Sequence, residues 1–182
     1  AVLAAKQAFI KEHNLVVWRF HDHWHARRPD GILTGMVEAL GWGKYRSPGD
    51  PRLFVVPETT LDRFAGAIKE RLGIRTLRLV GDPAMTLSKV ALNPGYCPIA
   101  VGGRMLGRDD VEVLVMGESP EWETVEYADD ALAEGRKKAL IILGHIPSEQ
   151  AGMEECARWL KAFVTEVPVG FVPAKEPFWS PG

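Results

Sequence analysis

The sequence predicts an α/β fold in which strands alternate with helices around a mixed sheet. Short apolar runs at residues 15–20 and 138–143 are typical of buried strands, and residues 111–115 alternate as a further strand. Between them, apolar residues recur every three or four positions, which is the spacing of a helix with one buried face. Histidines follow two of these strands directly. Because open α/β sheets bind ligands at the carboxyl ends of their strands, we expect a site there.

The first elements follow from periodicity and from the residues that end it. Residues 2–13 are predicted to form an amphipathic helix, and residues 15–20 are predicted to form a largely buried strand. A turn is predicted at residues 29–31, which read Pro-Asp-Gly. The apolar stripe of residues 32–40 then predicts a helix, and Gly41 is suited to end it.

The next elements are a strand, a helix and two further strands. Residues 52–56 are predicted to be a strand. Thr60 is a good N-cap for the helix that follows, and Gly73 is suited to end that helix. Residues 76–80 and 88–92 alternate like a pair of strands joined by a short turn.

The second half repeats the alternation after a segment that is harder to assign. Residues 93–107 are rich in Gly and Pro, and Gly102-Gly103 lacks the lysine and spacing of a phosphate loop, so we predict a turn there. A helix is predicted with Trp122 on its inner side, and another helix from about Ser148. The proline-rich tail of residues 171–182 is predicted to be an extended surface segment.

The composition bounds the class of protein. The chain has 182 residues, of which 46% are hydrophobic and 25% charged, as is typical of a soluble globular protein. We predict a single α/β domain over residues 1–182, either undivided or as two lobes of about residues 1–92 and 108–182. A net charge of -2 gives nucleic-acid binding no electrostatic support, and no apolar run is long enough for a bilayer. Two cysteines make neither a disulfide framework nor a zinc-thiolate motif, so a cytoplasmic location is expected.

The stretch His21-Asp22-His23-Trp24-His25 carries three of the five histidines of the chain. Imidazole and carboxylate are ligands for zinc, iron, manganese and nickel. In a strand all three histidines would share one face, whereas in a helix His21 and His25 would share it. Either conformation lets His21 and His25 bind one ion. The alternative is a polar segment whose histidines are solvated or bonded to the backbone.

A second stretch, Gly144-His145-Ile146-Pro147-Ser148-Glu149, has the same character. His145 and Glu149 lie four residues apart at a junction between strand and helix, where Ser148 is expected to cap the helix. A carboxylate can bridge two ions, so we expect one or two divalent ions per chain. The alternative is that His145 only ends a strand and Glu149 only complements the helix dipole.

Two carboxylates that follow another strand are candidates for proton transfer. Glu118 and Glu121 would line the same cleft as the metal ligands, and Glu118 is our candidate for the catalytic base. The alternative for both is a solvated loop carboxylate.

Together these residues resemble the Nif-three-like dinuclear metal centre family, whose members are also called GTP cyclohydrolase type 2 homologues. Residues 144–149 resemble that family's Gly-His-x-x-Thr/Ser-Glu signature. Further similar stretches occur in the family's order along the chain: residues 21–25, 29–31, 37–41, 72–82 and 116–121. The resemblance implies a Nif-three-like fold and metal ligands at His21 or His25, His145 and Glu149. It also implies a homohexamer with metal sites facing an internal cavity.

The sequence departs from that family at two places. His25 stands where the family has an aspartate, and nothing in residues 1–13 matches the family's earlier His-His motif. The chain also begins without Met and within a helical pattern, so we expect a fragment that lacks the family's N-terminal segment. These departures bear mainly on a second metal ion.

The sequence leaves three functions open. The first is a metal-dependent hydrolase that acts through a metal-activated water on a small, nucleotide-like substrate. The second is a non-catalytic metal-binding oligomeric assembly or regulatory protein. The third is a pH-sensitive histidine surface without metal.

Overall fold

The computed structural model, which describes residues 1–179 and 181, has a five-stranded mixed sheet at its centre. The strands are β1 (Leu53–Thr60), β2 (Arg78–Val80), β3 (Thr86–Tyr96), β4 (Val113–Glu118) and β5 (Ala139–Ile142). Their order is β1-β3-β4-β5-β2. The three inner strands are parallel, and each edge strand is antiparallel to its neighbour. The predicted α/β class with a mixed sheet is therefore confirmed.

Seven α-helices accompany this sheet in the part of the chain that the structure describes. They are α1 (Val2–Glu12), α2 (His21–Ala26), α3 (Gly31–Leu40), α4 (Leu61–Leu72), α5 (Ile99–Leu106), α6 (Glu126–Ala133) and α7 (His145–Lys161). A short 3-10 turn (Gly43–Tyr45) precedes β1, and a π-helical turn (Glu121–Val125) precedes α6. None of these helices is both long enough and apolar enough to cross a bilayer.

The central strand β4 divides the core into two clusters. Val113 and Val115 belong to the cluster under α3 and α4, while Leu114 and Met116 belong to the cluster under α5 and α6. All four side chains are fully buried. A strand covered by helices on both faces is apolar at every buried position, which explains why the alternation expected for residues 111–115 does not continue through Leu114 and Met116.

Helices α3 and α7 pack against each other closely enough to exclude a side chain at two positions. A Cβ added at Gly152 would lie 2.3 Å from the Ile32 Cα, and one added at Gly35 would lie 2.4 Å from the Ala151 carbonyl oxygen. The first turns of α7, which carry His145 and Glu149, are thereby held against α3.

The predicted end of α3 at Gly41 and both predicted ends of α4 are confirmed, and Asp30 is a cap that was not predicted. The Asp30 carboxylate accepts hydrogen bonds from the backbone N–H groups of Ile32 and Leu33, at 2.8 and 3.2 Å. Thr60 caps α4 through the Arg63 N–H, and α4 ends at Gly73 in the left-handed conformation. Residues that satisfy the free backbone groups of a helix end are local signals, so the sequence alone reveals them.

The predicted strand at residues 15–20 is wrong. This segment forms no strand, and Val16, Val17 and Trp18 are 95%, 71% and 72% exposed. The preceding helix α1 forms as predicted, but none of its residues is buried. An apolar β-branched run becomes a strand only beside another strand, and no described strand pairs with this one.

The predicted pairing of residues 76–80 with 88–92 is also wrong. Strand β2 pairs with β5, whereas β3 lies between β1 and β4. The connecting loop returns to the start of α4, where the Asp62 N–H donates to the Pro83 carbonyl and the Leu61 N–H to the Met85 carbonyl. This loop therefore carries the chain from one edge of the sheet into its interior instead of closing a hairpin.

Two helix predictions need correction. Gly102-Gly103 lies within α5 and not in a turn. Trp122 is 78% exposed, because the π-helical turn changes which side chains face the core, and Thr124 is buried in its place. The tail has no regular structure over residues 171–179 and 181, as predicted, while positions 180 and 182 lie outside the described residues.

Candidate metal centre

Helix α2 places His21 and His25 one turn apart on the same face, so the helical alternative of the two conformations is the one that forms. The helix is anchored by Trp24, which is fully buried and donates its indole N–H to the Gly152 carbonyl at 2.8 Å. His23 points elsewhere and stacks on Phe20. The short helix therefore separates one histidine from the other two.

Glu149 of α7 meets both of these histidines. Its Oε2 lies 2.8 Å from the His21 Nε2, and its Oε1 lies 3.3 Å from the His25 Nε2. Each of the three side chains offers one ligand atom within 4.8 Å of the others. Among residues 1–179 and 181, no second group of three possible metal ligands lies so close together. Two imidazole nitrogens and a carboxylate at such distances fit a divalent ion.

His145 approaches the same carboxylate from its own helix. Its Nε2 lies 3.2 Å from the Glu149 Oε2, the oxygen that also faces His21. Helix α7 begins at His145, three residues earlier than predicted, and Ser148 does not cap it. The Ser148 hydroxyl instead donates to the His145 carbonyl at 2.7 Å, inside the first turn.

Each of the three imidazoles also has a carboxylate at its other nitrogen. The Nδ1 atoms of His21, His25 and His145 lie 3.3, 3.0 and 2.9 Å from carboxylate oxygens of Asp22, Asp30 and Glu118, respectively. A carboxylate that accepts the Nδ1–H leaves Nε2 free as a ligand and fixes the orientation of the ring. All three Nε2 atoms consequently face Glu149.

The electrostatics of the cluster favour a cation. The hydrogen bond to Asp30, followed by that to Glu149, raises the pKa of His25 from 6.5 to about 9. Burial raises the pKa of Glu149, but the hydrogen bonds from His25 and His21 outweigh it, and the pKa of this carboxyl is lowered. The carboxylate of Glu149 thus remains charged, and His25 holds a proton where an ion would supply positive charge.

The irregular carboxyl end of β3, where the register with β4 shifts between Asn93 and Tyr96, lies directly against the cluster. A Cβ added at Gly95 would lie 2.1 Å from the Glu149 Oε1, and Gly95 has a φ of +71°, which favours glycine. The Gly95 N–H donates to the buried Ser148 hydroxyl at 2.9 Å. Glycine is therefore required here both for its backbone conformation and for space.

A cavity of about 340 Å³ opens beside the cluster and contains one arginine. Arg52 donates to the Oδ1 of the buried Asn93 at 3.1 Å, and both side chains line the cavity together with the cluster and Tyr96. A guanidinium has five N–H donors, so a single bond to Asn93 leaves others for a ligand.

The structure thus brings His21, His25, His145 and Glu149 together and places Glu118 against His145. Glu121 was expected in the same cleft but is exposed and pairs with Arg78. Sequence reasoning missed three contributors: Asp30, which it treated only as a turn residue, Gly95 and Arg52. The Asp-Gly pair before a helical stripe signals a cap, but no local pattern signals its contact with His25.

The fold and the cluster define the class of protein: an α/β protein with a possible His/His/Glu metal site, in which His145 and Glu118 lie at the carboxyl ends of parallel strands. The family model described as Duf34/NIF3 (NGG1p interacting factor 3) matches residues 7–177. The chain therefore belongs to the Duf34/NIF3 family.

Solved structures resemble this chain over part of their length. Protein ybgI, of unknown function, matches 85% of this chain and 60% of its own at 21% identity, with a TM-score of 0.61. The Staphylococcus aureus hypothetical protein SA1388 matches 60% of this chain and 34% of its own at 26% identity, with a TM-score of 0.50. A Bacillus cereus protein related to NIF3 matches 60% and 28% at 22% identity, also with a TM-score of 0.50.

The chain spans less than two thirds of the length of each of these three relatives. Among proteins with curated descriptions, none matches it.

Proposed function

We propose that the chain binds a divalent metal ion through His21, His25, His145 and Glu149. The observation that carries this proposal is the shared orientation of the three imidazoles, each with Nδ1 against a carboxylate and Nε2 against Glu149. Histidines that only decorate a surface do not need three such arrangements around one carboxylate. Zinc, iron, manganese and nickel all accept this ligand set.

One or two ions per chain are compatible with the proposal. The Glu149 Oε1 faces His25, while its Oε2 faces His21 and His145. A carboxylate whose two oxygens face different imidazoles could contribute to two ion sites. The sequence resemblance likewise implies a dinuclear centre.

We further propose a metal-dependent hydrolase. A bound divalent ion would lower the pKa of a coordinated water to about 7, which would make hydroxide available at neutral pH. Glu118 holds the His145 ring in place and is the candidate base that accepts a proton. Arg52, in the same cavity as the cluster, would bind an anionic group of a small, nucleotide-like substrate.

A second candidate function is a non-catalytic metal-binding assembly or regulatory protein, which the exposed apolar surface of the N-terminal segment favours. Phe9, Val16, Val17 and Trp18 are all more than half exposed. Apolar groups gathered in this way are typical of surfaces that contact another chain, and the resemblance implies a homohexamer.

A cytoplasmic location is supported by Cys97 and Cys156, which are buried and unpaired.

The metal content of variants tests the site. We expect His145→Ala and Glu149→Ala to weaken binding by at least the 10- to 100-fold that the loss of an outer partner costs. His23→Ala is the matched control, because His23 lies on the same helix as two ligands but stacks on Phe20. Elemental analysis showing full metal in both site variants would contradict the assignment.

Activity separates the two candidate functions. A panel of phosphate esters and cyclic amides, run at saturating metal, should give turnover that Glu118→Gln reduces, because the Gln amide oxygen can still accept from the His145 Nδ1–H but cannot act as a base. Absence of turnover with every ion would favour the non-catalytic assembly.

A further inference from the structure

An apolar cavity of about 440 Å³ lies between α7 and the C-terminal tail. Its walls are Met153, Cys156, Ala157 and Leu160 from α7 and Val169 and Phe171 from the tail, with further residues of both segments at the rim. The volume falls in the range of small-molecule sites, which are mostly apolar with a few placed polar groups.

One residue that lines this cavity has a polar atom without a partner. The Oε1 of Gln150 is buried and accepts no hydrogen bond from any residue in the described part of the chain, and Gln150 lies between this cavity and a second one of about 310 Å³ beside the end of α4. Buried acceptors are almost always satisfied, because leaving one unpaired is costly in free energy. The missing partner is a donor that the described residues do not supply.

The tail wall is held in place. The Glu176 carboxylate accepts hydrogen bonds from the backbone N–H groups of Arg75 and Thr76, at 2.7 and 2.9 Å. The Arg75 guanidinium in turn donates to the Glu176 carbonyl at 2.7 Å. These bonds connect the tail to the loop after α4, so the cavity has a fixed wall on the side away from α7.

We propose that this cavity binds an apolar ring that carries one N–H or O–H group, which donates to the Gln150 Oε1. His145 and Glu149 line this cavity as well as the cavity of the metal cluster. A ring bound here therefore lies beside the metal ligands, and it can be either a separate ligand or the apolar part of a substrate. The site itself does not need a metal ion, because its walls and its acceptor are protein atoms.

The test compares two rings of the same shape. Indole has an N–H donor, and benzothiophene has sulfur in its place. We expect Gln150→Met to lower the ratio of indole affinity to benzothiophene affinity about tenfold relative to the wild type, by removing one hydrogen bond. Binding is measured by ligand-observed NMR titration of both proteins, with EDTA and again with zinc.

Two further variants control the location. Ala157→Phe fills the cavity and should abolish binding of both rings, while Lys161→Met on the exposed end of α7 should leave both affinities unchanged. Circular dichroism checks that each variant is folded, and if Ala157→Phe is not, the ratio measured with Gln150→Met decides alone. An unchanged ratio, or no binding of either ring by the wild type, would overturn the proposal. Because the EDTA titration contains no metal, failure of the metal site would leave this result intact.

Discussion

His25 is the residue at which this chain departs from the family pattern, and the structure shows what surrounds it. The family resemblance places an aspartate at this position, where the chain has an imidazole between Asp30 and Glu149. The two carboxylates hold the ring by both nitrogens. In the proposed site, the His25 nitrogen would thus replace an oxygen ligand, and the Asp30 carboxylate would set the tautomer of the His25 ring.

The raised pKa of His25 predicts that a metal ion must displace a proton. In the metal-free protein this pKa is about 9, so His25 is protonated at pH 7.5, whereas a ligand imidazole is neutral. We expect release of about one proton from His25 on metal binding at pH 7.5. Calorimetry in two buffers of different ionisation enthalpy measures this number.

Asp30→Asn is the variant that isolates the cause, because Asp30 is the largest contributor to the raised pKa. Asparagine still caps α3, so the helix is kept. The variant should release fewer protons at pH 7.5. Equal proton release by both proteins would exclude this account.

The same raised pKa of His25 makes the stability of the metal-free fold depend on pH. Its contribution to the unfolding free energy is fully present below pH 6.5 and is lost as the pH rises towards about 9.

At the scale of elements, the carboxyl end of β3 packs directly against the Glu149 carboxylate at Gly95. Gly95→Ala would introduce both a strained backbone conformation and a Cβ overlapping the Glu149 Oε1. Gly49→Ala is the matched control, since Gly49 also has a positive φ of +87° but open space around its Cβ position. Each strained position costs about 1–3 kcal/mol of unfolding free energy.

We therefore expect similar backbone strain in both variants but weaker metal binding only in Gly95→Ala. Thermal unfolding gives the stability, and zinc titration gives the affinity. Full zinc affinity in Gly95→Ala would mean that the end of β3 moves to accommodate the added methyl group. The cluster would then not depend on the close contact between Gly95 and Glu149.

The sequence revealed those elements whose signals are local. The end of α3 and both ends of α4 were predicted from Gly41, Thr60 and Gly73, because a cap acts on the helix that it adjoins. The strand at β4 was predicted from its β-branched residues, whereas its burial on both faces was not. Strand partners could not be predicted in the same way, since pairing joins residues far apart in the chain.

The candidate metal site likewise combines residues that local patterns predicted with contacts that they did not predict. Spacing of four residues and the family resemblance pointed to His21, His25, His145 and Glu149. Residues 21–25 form a helix, which Trp24 anchors by donating its indole N–H to the Gly152 carbonyl of α7, more than a hundred residues later. Contacts of that kind also bring Gly95 and Arg52 to the site, and no local pattern announces them.

At the scale of the whole molecule, the described residues leave the N-terminal segment without a covering. Helix α1 has no buried residue, and the run after it exposes Val16, Val17 and Trp18 although its composition is that of a buried strand. The prediction of one domain over residues 1–182, undivided or in two lobes, stays a prediction, as does the homohexamer. Contact of this apolar segment with another copy of the chain would connect the segment's composition to its exposure.

Light scattering tests this contact directly. The wild-type chain should be larger than a monomer, and the double variant Val17→Asp, Trp18→Ser should shift to a smaller species, because a charge and a hydroxyl oppose burial of the segment. Trp122→Ser is the matched control, since Trp122 is 78% exposed and Trp18 is 72% exposed. The control should keep the wild-type size, which separates the N-terminal segment from exposed tryptophan in general. A monomeric wild type, or a double variant of unchanged size, would mean that this surface does not hold copies together, and the metal site would then have to function within a single chain.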